Sequence, residues 1–350
     1  MKKKIMTILS FLLVFIMGAS IIGCSNNSEG DSKNKLDKIT IVWYPNESGG
    51  DYEEARNAVA DVVKEATGLE VVQKLTTDYS VAIESLANGT AQVGYFGPQG
   101  YVECHDKNKN VLPLVVSSGE SGTLDDALYY SWLAVPKDKA KDYKDGDGYS
   151  LDNIVGKKMS FVSTSSTSGF KVPTSSIVSY FSKQDKYKDL KAEDLMEGGS
   201  DKFFSEVMYG DSHQGSAVNL LSNKCDIAAF CDTVVGGYVE PVDGNLNEVG
   251  TTYQVKEGQE DPFTNYSGEE FTTIAVTAVL NSPFVANKEL LGDDLFKNVQ
   301  DALTDDKVAN NKKIFADENS ETKGFITKKG DEHFVKVEDD WFEPIRKLSK

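Results

Sequence analysis

Phe161-Val-Ser-Thr-Ser-Ser-Thr-Ser-Gly-Phe-Lys-Val-Pro173 is the stretch on which the reading of this chain turns. An apolar strand end runs into a row of hydroxyl residues and Gly169. Ser175, Ile177, Val178 and Tyr180 continue as a predicted helix. The first N–H groups of a helix have no partner inside it and point outward. Aligned peptide dipoles add about half a positive charge there. The hydroxyls of Ser166, Thr167 and Ser168 can complete a ring of donors, and Gly169 would let an oxyanion approach the backbone. Such an anion trap needs neither Lys nor Arg.

Outward from this turn, strands and helices alternate. Lys38–Trp43 reads as a buried first strand. From Asp51 to Ala66, Ala55, Ala58, Val59, Val62, Val63 and Ala66 form one helical stripe, which Gly68 stops. Leu69–Val72 is a second strand. Asp78 caps a helix over Tyr79–Ala87, and Gln92–Phe96 is a third strand, broken by Gly97-Pro98. The order β-α-β-α-β implies a parallel sheet with helices on both faces, and ligands in such sheets sit at the carboxyl ends of strands. Tyr44, Tyr79, Tyr95 and Tyr101 fall at or just beyond those ends. The theme restarts with strands at Tyr130–Val135, Lys158–Val162, Asp226–Phe230 and Phe271–Leu280. Helices are expected over Ser216–Ser222, Asp293–Leu303 and Asp305–Phe315. The fold class is therefore α/β. Two lobes are expected, residues 38–129 with 270–350 and residues 130–269, each a mostly parallel sheet flanked by helices, with a ligand cleft between them.

The ends and the charge narrow the function. Met1-Lys-Lys-Lys4, the apolar run Ile5–Ile22 and Gly23-Cys24-Ser25 have the pattern of a secretory signal. Ile21-Ile22-Gly23-Cys24 resembles a bacterial lipobox. That likeness implies a signal peptide over residues 1–23, lipid on Cys24, a flexible tether over 24–37 and anchorage on the outer face of the cytoplasmic membrane. The net charge is −18. Residues 1–23 hold three lysines and no acids, so the mature chain carries −21. This excludes a nucleic-acid partner. It does not exclude a small anion, because exposed charges fade over about 8 Å at physiological salt. Cys104, Cys225 and Cys231 form no C-x-x-C and read as buried free thiols.

Several segments together resemble the substrate-binding proteins of phosphonate/phosphite/phosphate ABC importers. The likeness runs from about Ile39 to Lys347. It rests on Thr77-Asp-Tyr79 opening a helix, Val93-Gly-Tyr-Phe-Gly-Pro98 with Tyr101, and Asn153-Ile-Val-Gly-Lys-Lys158 before a strand. Stronger marks are Ser166-Thr-Ser-Gly169 with Pro173, and Ser212-His213 upstream of Asp226-Ile-Ala-Ala-Phe-Cys-Asp232. The resemblance implies a type II periplasmic-binding-protein fold that closes by a hinge. Its anion-holding hydroxyls fall on Ser166, Thr167 and Ser168, its cleft tyrosines on Tyr79 and Tyr95, its histidine on His213 and its cleft carboxylate on Asp232. It also implies a monomeric receptor without cofactor or metal, serving a membrane permease and its ATPase. Gln214 stands where the family usually has an acid. The Lys139–Gly148 stretch and the Gly236–Phe271 segment depart from it too, which leaves the ligand's substituent open.

In this reading Asp232 is the selective group, since a carboxylate repels an oxyanion unless a P–O–H proton lies between them, and sulfate has none to give. A sulfonate or other organic-anion receptor of the same fold is the nearest alternative. Ser168, His213 and Asp232 raise a serine hydrolase, but the G-x-S-x-G elbow is missing. A surface adhesin would need no cleft. Glu103-Cys-His-Asp106 and Asp331-Glu-His333 contain metal-ligating atoms, but adjacent ligands in one run point apart. Asp145-Gly-Asp147 lacks the third ligand and terminal Glu of a calcium loop.

Overall fold

The computed structural model describes residues 36–318, 320 and 324–348. The expected signal segment, Cys24 and nearly all of the tether lie outside the described residues.

Strand β1 (Lys38–Trp43) shows how sequence alternation becomes two packed faces. Ile39, Ile41 and Trp43 are buried on one side of the sheet, whereas Val42 and the following Tyr44 are buried on the other. Helix α1 (Glu53–Thr67) lays Ala55, Ala58, Val59 and Val63 against the first side and ends at Gly68, whose φ of 68° gives the left-handed stop. β2 (Glu70–Leu75) and β3 (Val93–Tyr95) pair parallel to β1 on either side. Between them α2 (Tyr79–Ala87) starts at Asp78, whose carboxylate accepts from Ser80 N. Gly97-Pro98 ends β3 as expected but also begins a helix, α3 (Pro98–Lys107), with proline in its first turn, where no N–H is missed. β4 (Val111–Ser117) completes this part of the chain.

The second part holds β5 (Leu128–Pro136), the hairpin β6 (Lys144–Asp145) and β7 (Gly148–Tyr149), β8 (Lys158–Phe161), α4 (Val172–Phe181), β9 (Glu206–Tyr209) and α5 (His213–Leu221). β10 (Ile227–Cys231), α6 (Asp232–Val235), β11 (Val239–Asp243), β12 (Thr252–Val255) and β13 (Glu270–Leu280) come next. The chain then returns through β14 (Pro283–Asn287), α7 (Lys288–Leu303) and α8 (Asp306–Ala309). It ends with the short pair β15 (Phe315–Asp317) and β16 (Ile326–Lys328), then β17 (Phe334–Lys336) and α9 (Glu343–Lys347).

Two large sheets result, ordered β17-β4-β14-β3-β1-β2 and β11-β12-β13-β5-β10-β8-β9. The chain passes between them twice, through residues 118–127 and 281–282. The expected parallel pairing is limited to β2-β1-β3 and β10-β8-β9. Elsewhere both sheets are mixed. The returning β14 threads antiparallel between β3 and β4, and β5 runs antiparallel to both β10 and β13. Segment 270–280, allotted from sequence to the first lobe, pairs with β5 in the second sheet. The helix expected over Asp305–Phe315 shrinks to α8, because Asn310 caps it and Phe315 joins a strand. Cys104, Cys225 and Cys231 are buried free thiols. No helix among the described residues is long and apolar enough to cross a membrane.

Candidate functional site

Beyond β8 the chain doubles back on itself. Val162 N donates to Gly169 O at 3.1 Å, and Ser166 N to Ser163 O at 2.9 Å. Ser166 caps the turn Thr167–Lys171, its Oγ accepting from Gly169 N at 3.1 Å. That turn is wide: Lys171 N reaches Ser166 O, five residues back, before α4 tightens to ordinary pitch. Thr167 Oγ1 accepts from Gln99 N in the first turn of α3 at 2.8 Å, tying this turn to the other sheet. Ser168 O accepts from Ser131 Oγ at 2.6 Å, and Ser168 Oγ has no partner among the described residues. Gly169 does not border open space. A Cβ there would lie 2.2 Å from Val162 Cγ2 and 2.8 Å from Ser166 Oγ, so glycine is needed to fold the turn onto itself rather than to admit an anion.

Ser166, Thr167 and Ser168 form one wall of a buried cavity of about 40 Å³. Tyr79 and Tyr95, both read from the sequence, line it from the first sheet, and His213 lines it from α5. Tyr44, placed from the sequence at a strand end, also borders it, as do Asn46, Glu47, Tyr129, Cys231, Thr233, Val234 and Ser282, which the sequence reading did not single out. Most contributors sit at or just past the carboxyl ends of β1, β3, β8 and β10 or at the starts of α2 and α5, while Tyr129 comes from the start of β5 and Ser282 from the crossing between β13 and β14. None of the lining residues is a lysine or an arginine.

Asn46 joins the two sides. Its Nδ2 donates to Tyr79 OH at 2.7 Å and its Oδ1 accepts from His213 N at 3.1 Å, while its carbonyl accepts from Gln214 Nε2 at 3.0 Å. Tyr44 is sandwiched between Tyr79 (ring centroids 4.0 Å apart) and Phe96 (4.7 Å). Four buried polar atoms of lining residues have no hydrogen-bond partner among the described residues: Tyr44 OH, Glu47 Oε2, Ser168 Oγ and His213 Nδ1. Burial pushes the His213 imidazole down to about 3, so the ring is neutral. The same burial pushes the phenols of Tyr44, Tyr79, Tyr95 and Tyr129 well up, keeping them as O–H donors. Glu47, only 7% exposed, is pushed up to about 8, chiefly by burial.

Asp232 is not among the residues that line the cavity, although its neighbours Cys231 and Thr233 are. Its Oδ1 accepts from Tyr130 N and Thr233 N, both at 2.8 Å, and its Oδ2 from Asn247 Nδ2 at 3.0 Å. It anchors the start of α6 to β5. Tyr101 likewise turns away and donates its hydroxyl to Asp339. Ser168, His213 and Asp232 form no triad, since Ser168 Oγ and His213 Nδ1 are unpartnered and the carboxylate is engaged elsewhere. In the Glu103–Asp106 run, Cys104 is buried toward Ile83 O, His105 Nδ1 meets Val111 O and Asp106 pairs with Lys109. No cluster of three or more metal-ligating side chains occurs among the described residues.

Residues 41–342 match the family described as ABC transporter, phosphonate, periplasmic substrate-binding protein. Phosphate-import protein PhnD of Mycolicibacterium smegmatis is 23% identical over 225 residues, 63% of this chain and 64% of that protein. The match thus spans just under two thirds of that relative's length. PhnD1 from Prochlorococcus marinus, solved in complex with methylphosphonate, has a similar fold, with a TM-score of 0.61 and 14% identity over 89% of this chain and 97% of that one. A binding protein component of an ABC phosphonate transporter from Pseudomonas aeruginosa gives 0.62 and 17%, covering 90% of this chain and 86% of that one.

Proposed function

The chain belongs to the family of periplasmic substrate-binding proteins of phosphonate ABC transporters, and from that premise we propose that it captures a small phosphorus oxyanion in the cavity between Ser166–Ser168, Tyr79, Tyr95 and His213 and delivers it to an ABC importer. The observation that carries this is that residues lining one small chamber, among them Ser168 and His213, carry buried polar atoms without hydrogen-bond partners among the described residues. Buried polar atoms left without partners cost about 1–3 kcal/mol each, so the chamber favours a guest rich in acceptor oxygens.

Ser166, Thr167, Ser168, Tyr79, Tyr95 and His213 are the proposed ligand-binding residues. Charge-assisted hydrogen bonds contribute about 1.5–3 kcal/mol each, and four or five of them, less the costs of association, correspond to roughly micromolar to nanomolar affinity. The size of the chamber supports a compact guest. A water needs about 10–15 Å³ by the same measure, so about 40 Å³ fits phosphite, phosphate or methylphosphonate better than a long-chain phosphonate. The two sheets act as the cores of two lobes that close over the guest about the two crossings, with Asn46 and Thr167 as clasps. The signal pattern and Cys24 support an extracytoplasmic, lipid-anchored protein, and the family supports the hand-over of its cargo to a permease with its ATPase.

A melting-temperature screen with phosphate, phosphite, methylphosphonate, sulfate and methanesulfonate tests the reading. A ligand at a hundredfold excess over its Kd stabilises by about 2.7 kcal/mol. At least one phosphorus oxyanion is expected to shift the melting curve upward by degrees, and the sulfur oxyanions are not. A response to methanesulfonate alone would transfer the site to organic sulfonates, and no response at all would remove ligand capture from this cavity.

A further inference from the structure

Glu47 is the lining residue that the proposed ring of neutral donors does not use. It ends the short turn Pro45–Glu47 after β1, and its Oε2 is buried without a partner. Arg56, the neighbouring cation, does not satisfy it through that oxygen. Its Nη1 is directed instead to the backbone carbonyls of Glu47 and of Gly49, the latter at 2.7 Å. An ionised carboxylate in such a place costs several kcal/mol unless something shares its charge.

We propose that the Glu47 carboxyl group holds a single proton jointly with the bound phospho-oxyanion, so that the site takes up its guest together with that proton. The inference rests on the cavity being the phospho-oxyanion site and assigns the residue that sets its preference. A phosphonate or phosphate oxygen is basic enough to hold half of such a bond. Either the acid donates to the dianion, or the carboxylate accepts from the P–O–H of the monoanion, and the two states contain the same atoms and charges. Sulfate and sulfonates are weakly basic and carry no proton near neutral pH. They gain only a weak bond from the acid and meet repulsion from the carboxylate.

The surroundings agree. Burial raises the Glu47 carboxyl to about 8 and Asp51 adds to the rise, against the lowering effects of its own backbone N–H, the Asn46 side chain and Arg56. The other titratable groups bordering the cavity stay out of that window. His213 is pushed down to about 3, Cys231 is pushed up to about 12, and Tyr44, Tyr79, Tyr95 and Tyr129 are pushed well above their usual range. Tyr52, packed nearby, is raised as well.

Calorimetric titration of the whole protein with methylphosphonate and with inorganic phosphate, in buffers of different ionisation enthalpy, counts the protons. At pH 8.5–9 the wild type is expected to take up close to one proton per ligand, and its affinity to fall about tenfold per pH unit above pH 8. Glu47→Gln keeps an N–H donor in place and cannot ionise. Its proton uptake should fall close to zero and its affinity should level off over the same range. Tight binding by the wild type without proton uptake, or an uptake unaltered in Glu47→Gln, overturns the proposal while leaving the cavity reading intact. Absence of binding by the wild type to either ligand and to phosphite overturns both. A wild-type count of zero overturns the proposal even if the variant does not fold, and Glu47→Asp, which keeps the ionisable group, is then the second variant, expected to retain the uptake.

Discussion

Asp232 and Asn247 form a locked pair. Trp132 Nε1 donates to Asn247 Oδ1 at 2.8 Å, which fixes the Asn247 amide with its Nδ2 toward Asp232. In Asp232→Asn the new amide would set one NH₂ against another or give up its bonds to Tyr130 N and Thr233 N. The expected result is a loss of about 1–3 kcal/mol in stability, read by denaturant titration, with the preference for phosphorus over sulfur oxyanions unchanged. A relaxed preference at full stability would return Asp232 to the ligand. At this scale the hydroxyls were legible, because a Ser/Thr run after an apolar strand has few other uses. The two carboxylates were not. An acid one residue past a strand reads alike whether it faces a cleft or holds a backbone, and Tyr44-Pro-Asn-Glu47 reads as a polar turn until burial of Glu47 is seen.

Elements depend on how closely their backbones meet. The turn before α4 is held by Val162 N to Gly169 O and by Gly169 N to Ser166 Oγ, which leaves no room beside Gly169. Gly169→Ala forces a methyl group into Val162 and displaces the three hydroxyl residues together. A stability loss of about 1–3 kcal/mol is expected, with methylphosphonate affinity lowered at least tenfold. Thermal melting and calorimetry check the two effects, and wild-type values for both would mean that the turn tolerates the methyl group. The helices α1 and α2 were legible from periodicity and caps, since Asp78 and Gly68 do what their types predict. α3 was hidden because Gly97-Pro98 is at once a strand stop and a helix start, and the polar run behind it lacks a clean apolar stripe.

For the whole molecule, the order of strands and helices could be read, but their directions could not. Local pattern does not show that β14 returns between β3 and β4, nor that β13 stays with β5. Those long-range pairings bring residues far apart in the chain to one chamber, with Asn46 meeting His213 and Gln99 meeting Thr167. The acidic exterior, −18 over the full sequence, is no obstacle to an anionic guest. Exposed charges are screened within about 8 Å, while amides and hydroxyls act at contact. The proposed grip thus depends on neutral donors, of which Ser168 Oγ is the most fully buried and unpartnered hydroxyl in the turn. Its loss removes a bond of about 1.5–3 kcal/mol to a charged guest, roughly 10- to 100-fold in affinity. Titration of methylphosphonate into the wild type and Ser168→Ala by calorimetry is the most direct test. The account predicts one site per chain in the wild type and a Kd weakened by that factor in the variant, whereas equal affinity in the two proteins would contradict it.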